Sequence, residues 1–218
     1  MVYYALLKYL PAEPNYRYLI AAPDADTIDE WWREASAKFD QIKRLAPDFY
    51  TFNSGVNGWG MAPSFDKKVM YTLLNDRDGR VMSTISQPPR TDVVSGEAYY
   101  IRSKSNPELY WFAKEGLIYA TKRGRTRFIF RIDVDRQNDA NRTVIIGNDS
   151  ITISAVGPSP RKYVGVDDNG QVTLTGRGAR MYYGDLKKGF LAQGEIDNAG
   201  NAELYKSDGY GEEWELVK

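Results

Sequence analysis

The chain has 218 residues, 42% hydrophobic and 13% aromatic, and its 29 basic side chains cancel its 29 acidic ones. This is a globular composition, long enough for one large domain or two small ones. Residues 1–92 and 93–218 are each balanced to within one charge, which excludes a general electrostatic grip on nucleic acid or an anionic membrane. The chain has no cysteine and no histidine, which excludes disulfides, thiolate nucleophiles, Cys- or His-ligated metals and histidine-based catalytic triads.

The N-terminal stretch has no basic region followed by a long apolar core, so no secretory signal is expected. No apolar run approaches the ~20 residues needed to span a bilayer. A soluble, cytoplasmic protein with no membrane span and no cofactor is the expectation. The sequons at Asn141 and Asn148 then read as chance matches.

Val2–Leu10 and Tyr16–Ala22 read as aromatic-rich strands on either side of a turn with Pro11 and Pro14. Thr27, followed three residues later by Glu30, has the form of a capping box. Ile28, Trp31, Trp32, Ala35, Phe39 and Ile42 then recur at helical spacing until Pro47, and the two tryptophans are expected to plug this helix onto a sheet. Residues 51–60 form a loop rich in Asn and Gly that carries Trp59. Val69–Asn75 and Arg80–Ser86 read as a hairpin turning through Asp76–Gly79. Residues 1–87 thus predict a small α+β domain of two strands, one helix and a hairpin. Residues 88–92 form a linker, opened by two prolines that interrupt any sheet.

From Val93 onward the sequence consists almost entirely of short strands and turns. Gly116, Gly170 and Gly200 each open a similar hairpin unit, with Ile118/Ala120, Val172/Leu174 and Ala202/Leu204 alternating inward. An aromatic strand closes each unit, at Phe128, Tyr182 and Trp214. The glycines stand 54 and then 30 residues apart, so the second unit carries an insertion near 136–142 and the third is cramped. On this threefold pattern, with Gly96–Ser103, Phe112–Leu117 and the closing Trp214-Glu-Leu216, residues 93–218 resemble a β-trefoil of the fascin-like and lectin-like kind. The resemblance implies that residues 93–218 form an all-β β-trefoil domain, a module that binds rather than catalyses. With the reading of residues 1–87, the expected fold is an α+β N-terminal domain followed by an all-β β-trefoil domain. The Gln-x-Trp triplets of ricin-B-type lectins are absent, so no sugar-site residues carry over from them. Residues 1–92 resemble no family.

No constellation points to catalysis or to a metal. Asp167-Asp168 and Glu212-Glu213 are adjacent pairs whose side chains leave a strand on opposite faces, so neither is a hydrolytic dyad in itself. Lys122, Arg123, Arg125 and Arg127, with Arg177 and Arg180 in the second unit, read as solvated hairpin charges, with a patch for phosphate or nucleic acid as the alternative. A sugar site needs exposed aromatic rings beside short polar side chains. Tyr119 alternates outward, Asp168-Asn169 and Asp197-Asn198 occupy equivalent turns, and Trp59 lies in its loop. These six residues are the candidate ligand-binding set. The expected function is non-catalytic carbohydrate binding, with a glycan or glycoprotein as partner. Two alternatives remain from the sequence. One is a protein-binding module of the protease-inhibitor or cytoskeletal kind. The other is an enzyme working without His or Cys at the junction of the two domains. The N-terminal domain could also serve to form a homodimer.

Overall fold

The computed structural model describes residues 2–12, 16–53, 60–75, 90–133, 143–157, 161–193 and 200–218. The chain divides into two compact units, Met1–Asp92 and Val93–Lys218.

Among the described residues, the first unit is a five-stranded mixed sheet with one helix on one face. Strands β1 (Tyr3–Tyr9), β2 (Tyr16–Ala22), β3 (Lys43–Ala46), β4 (Phe49–Phe52) and β5 (Met70–Asn75) stand in the order β3-β4-β1-β2-β5, with β1 and β4 parallel. Alternation sends Ala5, Leu7, Tyr18 and Ile20 to the helix side, where they are buried. Helix α1 (Ala25–Lys38) buries Ile28, Trp31 and Ala35 against them. Trp31 packs edge-on against Tyr50, with ring centres 5.5 Å apart.

Three expectations are corrected here. The N-cap is Asp24, not Thr27: the Asp24 carboxylate accepts from the Thr27 N–H and from its hydroxyl, both at 2.8 Å. The helix ends at Lys38, because Phe39 already has extended backbone (φ −131°, ψ 98°), although its N–H still reaches Ala35 O. Residues 43–52, expected as helix end and loop, instead supply two further strands. The expected strand Arg80–Ser86 lies outside the described residues.

In the second unit, β6 (Ala98–Ser103), β7 (Tyr110–Lys114), β8 (Leu117–Thr121), β9 (Arg127–Ile132), β10 (Ser150–Ala155), β11 (Tyr163–Val166) and β12 (Val172–Thr175) form a ring. The ladder runs β12-β11-β10-β9-β6-β7-β8 and returns to β12 through Leu117 and Thr173, closing a seven-stranded barrel. Among the described residues three more strands attach to it, β13 (Met181–Tyr182) to β10, β15 (Asn201–Lys206) to β8 and β16 (Trp214–Val217) to β6, and β14 (Phe190–Gln193) pairs in turn with β15.

This corrects the expected fold class. The protein is mostly β throughout, a mixed sheet followed by a seven-stranded barrel, and not an α+β domain followed by a trefoil of six barrel strands capped by three equal hairpins. The second repeat departs from the expected pattern at its end. Strand β13 is only two residues long, and a 3-10 turn, Tyr183–Lys187, follows it at once. Gly184 there donates its N–H to Gly147 O at 2.8 Å, an approach that a side chain at 184 would obstruct. The ring closes through the hairpin strands β8 and β12.

The local signals of the repeat are nonetheless present. Glu115 (φ 53°) and Gly116 (φ 87°) together make the tight left-handed turn of the β7–β8 hairpin. Ile118, Ala120, Val172 and Leu204 are buried, as are the closing Phe128 and Trp214, whereas Tyr182 is exposed. The barrel core centres on Trp111, with ring centres 5.0 Å from Phe190, 5.8 Å from Trp214 and 6.1 Å from Phe128.

Candidate functional site

The hairpin strands β8 and β15 and the turn before β12 meet on the outside of the barrel. Ile118 and Ala120 point inward, so Tyr119 between them faces outward; Leu204 is likewise buried between Glu203 and Tyr205. Tyr119 stands directly across from Glu203 in the ladder, and Tyr205 bridges to Gln171. The Tyr205 hydroxyl donates to Glu203 Oε2 at 2.6 Å, and this bond to a carboxylate holds the phenol above its ordinary pKa. The Asp167 charge adds to the same effect.

The neighbouring turn is built by Asp167, whose Oδ1 accepts from the N–H groups of Asn169 (2.9 Å) and Gln171 (2.8 Å). Gly170 follows at φ 82°, and its carbonyl accepts from Lys206 N at 2.7 Å, fixing the turn to β15. Asp168 and Asn169 are exposed at the tip of this turn. The result is an outward face that carries Tyr119, Glu203 and Tyr205, with the Glu203 carboxylate bonded to Tyr205 and its residue paired with Tyr119, and a short polar turn at its border.

Of the six residues expected from sequence, Tyr119 lies on this face and Asp168 and Asn169 lie at its edge. Trp59, Asp197 and Asn198 lie outside the described residues. Glu203 and Tyr205 were missed, although the alternation of Ala202 and Leu204 already sends them outward. What the sequence could not supply is the register that sets Glu203 opposite Tyr119.

The carboxylate pairs form no catalytic dyad among the described residues. Glu213 is tied to Lys104 at 2.7 Å, and Asp167 is engaged in its turn. Burial raises the Glu212 pKa, with only the Ala192 N–H opposing it. A carboxyl whose folded pKa exceeds its unfolded value contributes stability at low pH and loses it as pH rises through the folded pKa. Glu212→Gln keeps an acceptor for Ala192 and removes that loss. Its melting temperature is therefore expected to exceed that of the parent at about pH 7, with the difference vanishing near pH 4. Thermal melts at the two pH values check this.

Among the described residues no group of three or more Asp or Glu side chains could hold a metal ion. No helix among them is long and apolar enough to cross a membrane. The chain matches no protein-family model, and no curated protein sequence matches it significantly.

Proposed function

We propose that this protein binds carbohydrate without catalysis, using the outward face of Tyr119, Glu203 and Tyr205. The observation that carries the reading is the carboxylate that shares this face with the two tyrosines. Glu203 is positioned by the Tyr205 hydroxyl and stands across from Tyr119. A pyranose stacks a C–H face on a tyrosine ring while an ionised carboxylate accepts from its hydroxyls. The tyrosine phenol fixed to that carboxylate leaves the remaining lone pairs of Glu203 for the ligand. Asp168 and Asn169 at the border would take further hydroxyls. Its setting in this reading is the cytoplasm, where a chain built without cysteine is at home.

An array of neutral oligosaccharides probed with the labelled full-length chain tests the reading. Binding to a chemically related set of glycans is expected, and Tyr119→Ala should weaken it by about tenfold, the loss of one stacking contact of ~1.4 kcal/mol. Failure of the parent chain to bind any member of the array would overturn it.

A further inference from the structure

We infer a second binding site, on the outward side of β6, for a tetrahedral oxyanion carried as a phosphate or sulfate ester on a sugar-sized alcohol. It uses different strands from the tyrosine face and does not depend on the reading given for that face.

The site is a lattice of outward side chains set by register. Tyr100 on β6 pairs with Arg127 on β9, and Arg102 pairs with Tyr110 on β7 and with Glu215 on β16. The Tyr100 and Tyr110 rings meet edge-on at 6.4 Å. The Arg125 guanidinium lies 4.4 Å from the Tyr100 ring centre and 5.6 Å from that of Tyr110. The Arg127 guanidinium lies 5.8 Å from the same Tyr100 ring and donates one N–H to Ala98 O at 2.9 Å.

The charges here are unevenly matched. Arg102 is neutralised by Glu215, and Lys218 by Glu97 at 2.9 Å. Neither Arg125 nor Arg127 has a carboxylate partner among the described residues. Two exposed positive charges therefore stand beside one tyrosine ring in a chain whose net charge is zero. A guanidinium presents several N–H donors in one plane, and with Arg125 and Arg127 beside the same ring an oxyanion with several oxygens can accept from both at once. The tyrosine pair beside them offers a surface for the carbon skeleton that carries the ester.

Arg125 is also held in place. Gly124 lies so close to the Phe112 ring that an added Cβ would come within 3.0 Å of it. Thr126 is bonded to β7 twice: its N–H donates to Trp111 O at 3.0 Å, and its hydroxyl accepts from Ala113 N at 2.9 Å. The arginine between these anchors is presented in advance of any ligand, which reduces the ordering cost of binding. The hairpin itself does not require it. Counting from the opening glycine, the second unit has Ala179 and Met181 where the first has Arg125 and Arg127, and the third has Gly209 and Gly211.

The test is calorimetric titration of the full-length chain at low salt with glucose 6-phosphate, glucose 6-sulfate, inorganic phosphate and plain glucose. Both esters are expected to bind saturably at this site, more weakly as salt is added, and the tighter of the two identifies the source of the oxyanion. The double variant R125Q/R127Q should lose at least about tenfold in affinity for the esters, as expected for removing charge-assisted hydrogen bonds. Tyr100→Leu should weaken them as well, whereas R177Q, in the second unit's basic turn, should leave them unchanged. The inference is overturned if neither ester binds, if R125Q/R127Q binds as well as the parent, or if R177Q weakens binding to the same extent. Because Arg125 and Arg127 are exposed, the double variant is expected to melt at the parent's temperature.

Discussion

Arg44→Met is expected to destabilise the first unit by about 3–5 kcal/mol, the scale of removing one partner from a buried ion pair. The Arg44 side chain is 4% exposed and Asp29 only 6%, so solvent screens little of their interaction. The guanidinium donates to Asp29 Oδ1 at 2.8 Å, to the Tyr50 hydroxyl at 2.9 Å and to Asp92 Oδ1 at 2.7 Å. It also lies 5.1 Å from the Trp32 ring centre. Arg90 reaches the other Asp29 oxygen at 3.0 Å. Burial opposes the charge on Arg44, but the Asp92 hydrogen bond and the surrounding negative groups outweigh it and hold the pKa above the ordinary arginine range. The network therefore joins α1, β3, β4 and residues 90–92 through one fixed cation. Lysine, with a single point of charge, is not expected to rescue it. Replacing Asp29 and Asp92 together with the arginine by apolar residues should recover part of the loss, because the one charge that then loses its partner, Arg90, is a third exposed and can turn to solvent. Urea unfolding followed by tryptophan fluorescence measures both, and a change below about 1 kcal/mol for Arg44→Met would contradict this account.

Trp111→Ala should cost the barrel about 3–5 kcal/mol, as large aromatic truncations in packed cores do. Trp111 on β7 is fully buried and meets Phe128, Phe190 and Trp214 edge-on, so it ties the first repeat to the strands that end the chain. Its indole N–H makes no hydrogen bond among the described residues, whereas that of Trp214 donates to Phe190 O at 3.2 Å. Trp111→Phe should accordingly cost markedly less than Trp111→Ala, since it forfeits volume but no hydrogen bond. Equal losses for the two variants would mean that the indole N–H matters more than the packing.

Local chemistry was legible in the sequence, and closure was not. The hairpin glycines announced themselves because only a residue without a Cβ adopts φ near 85° readily, and the alternation around Ile118 and Leu204 fixed which side chains face inward. Two neighbouring frames competed at the helix start: Thr27 with Glu30 has the form of a cap, yet Asp24 lies close enough to take both Thr27 donors. At the helix end, Phe39 and Ile42 keep helical spacing because both still pack on the core after the backbone has left the helix. Strand β4 was unreadable as a strand because Tyr50, Thr51 and Phe52 are buried in succession, leaving no alternation to detect. Ring closure rests on Leu117 meeting Thr173, a pairing of distant segments that composition and periodicity do not encode. The same holds for the site. Tyr119 could be read as outward, but Glu203 becomes its neighbour only through strand pairing, as Arg44 becomes a neighbour of Asp92.

Chemical-shift mapping of the isotope-labelled chain during titration with a neutral oligosaccharide decides whether the Tyr119–Glu203–Tyr205 face is a sugar site. Saturable amide shifts are expected to concentrate at residues 117–121, 167–171 and 203–205, with the Tyr205 ring resonances moving as Glu203 engages the ligand. Saturable shifts confined to other strands, or no shifts with any glycan of the array, would contradict it.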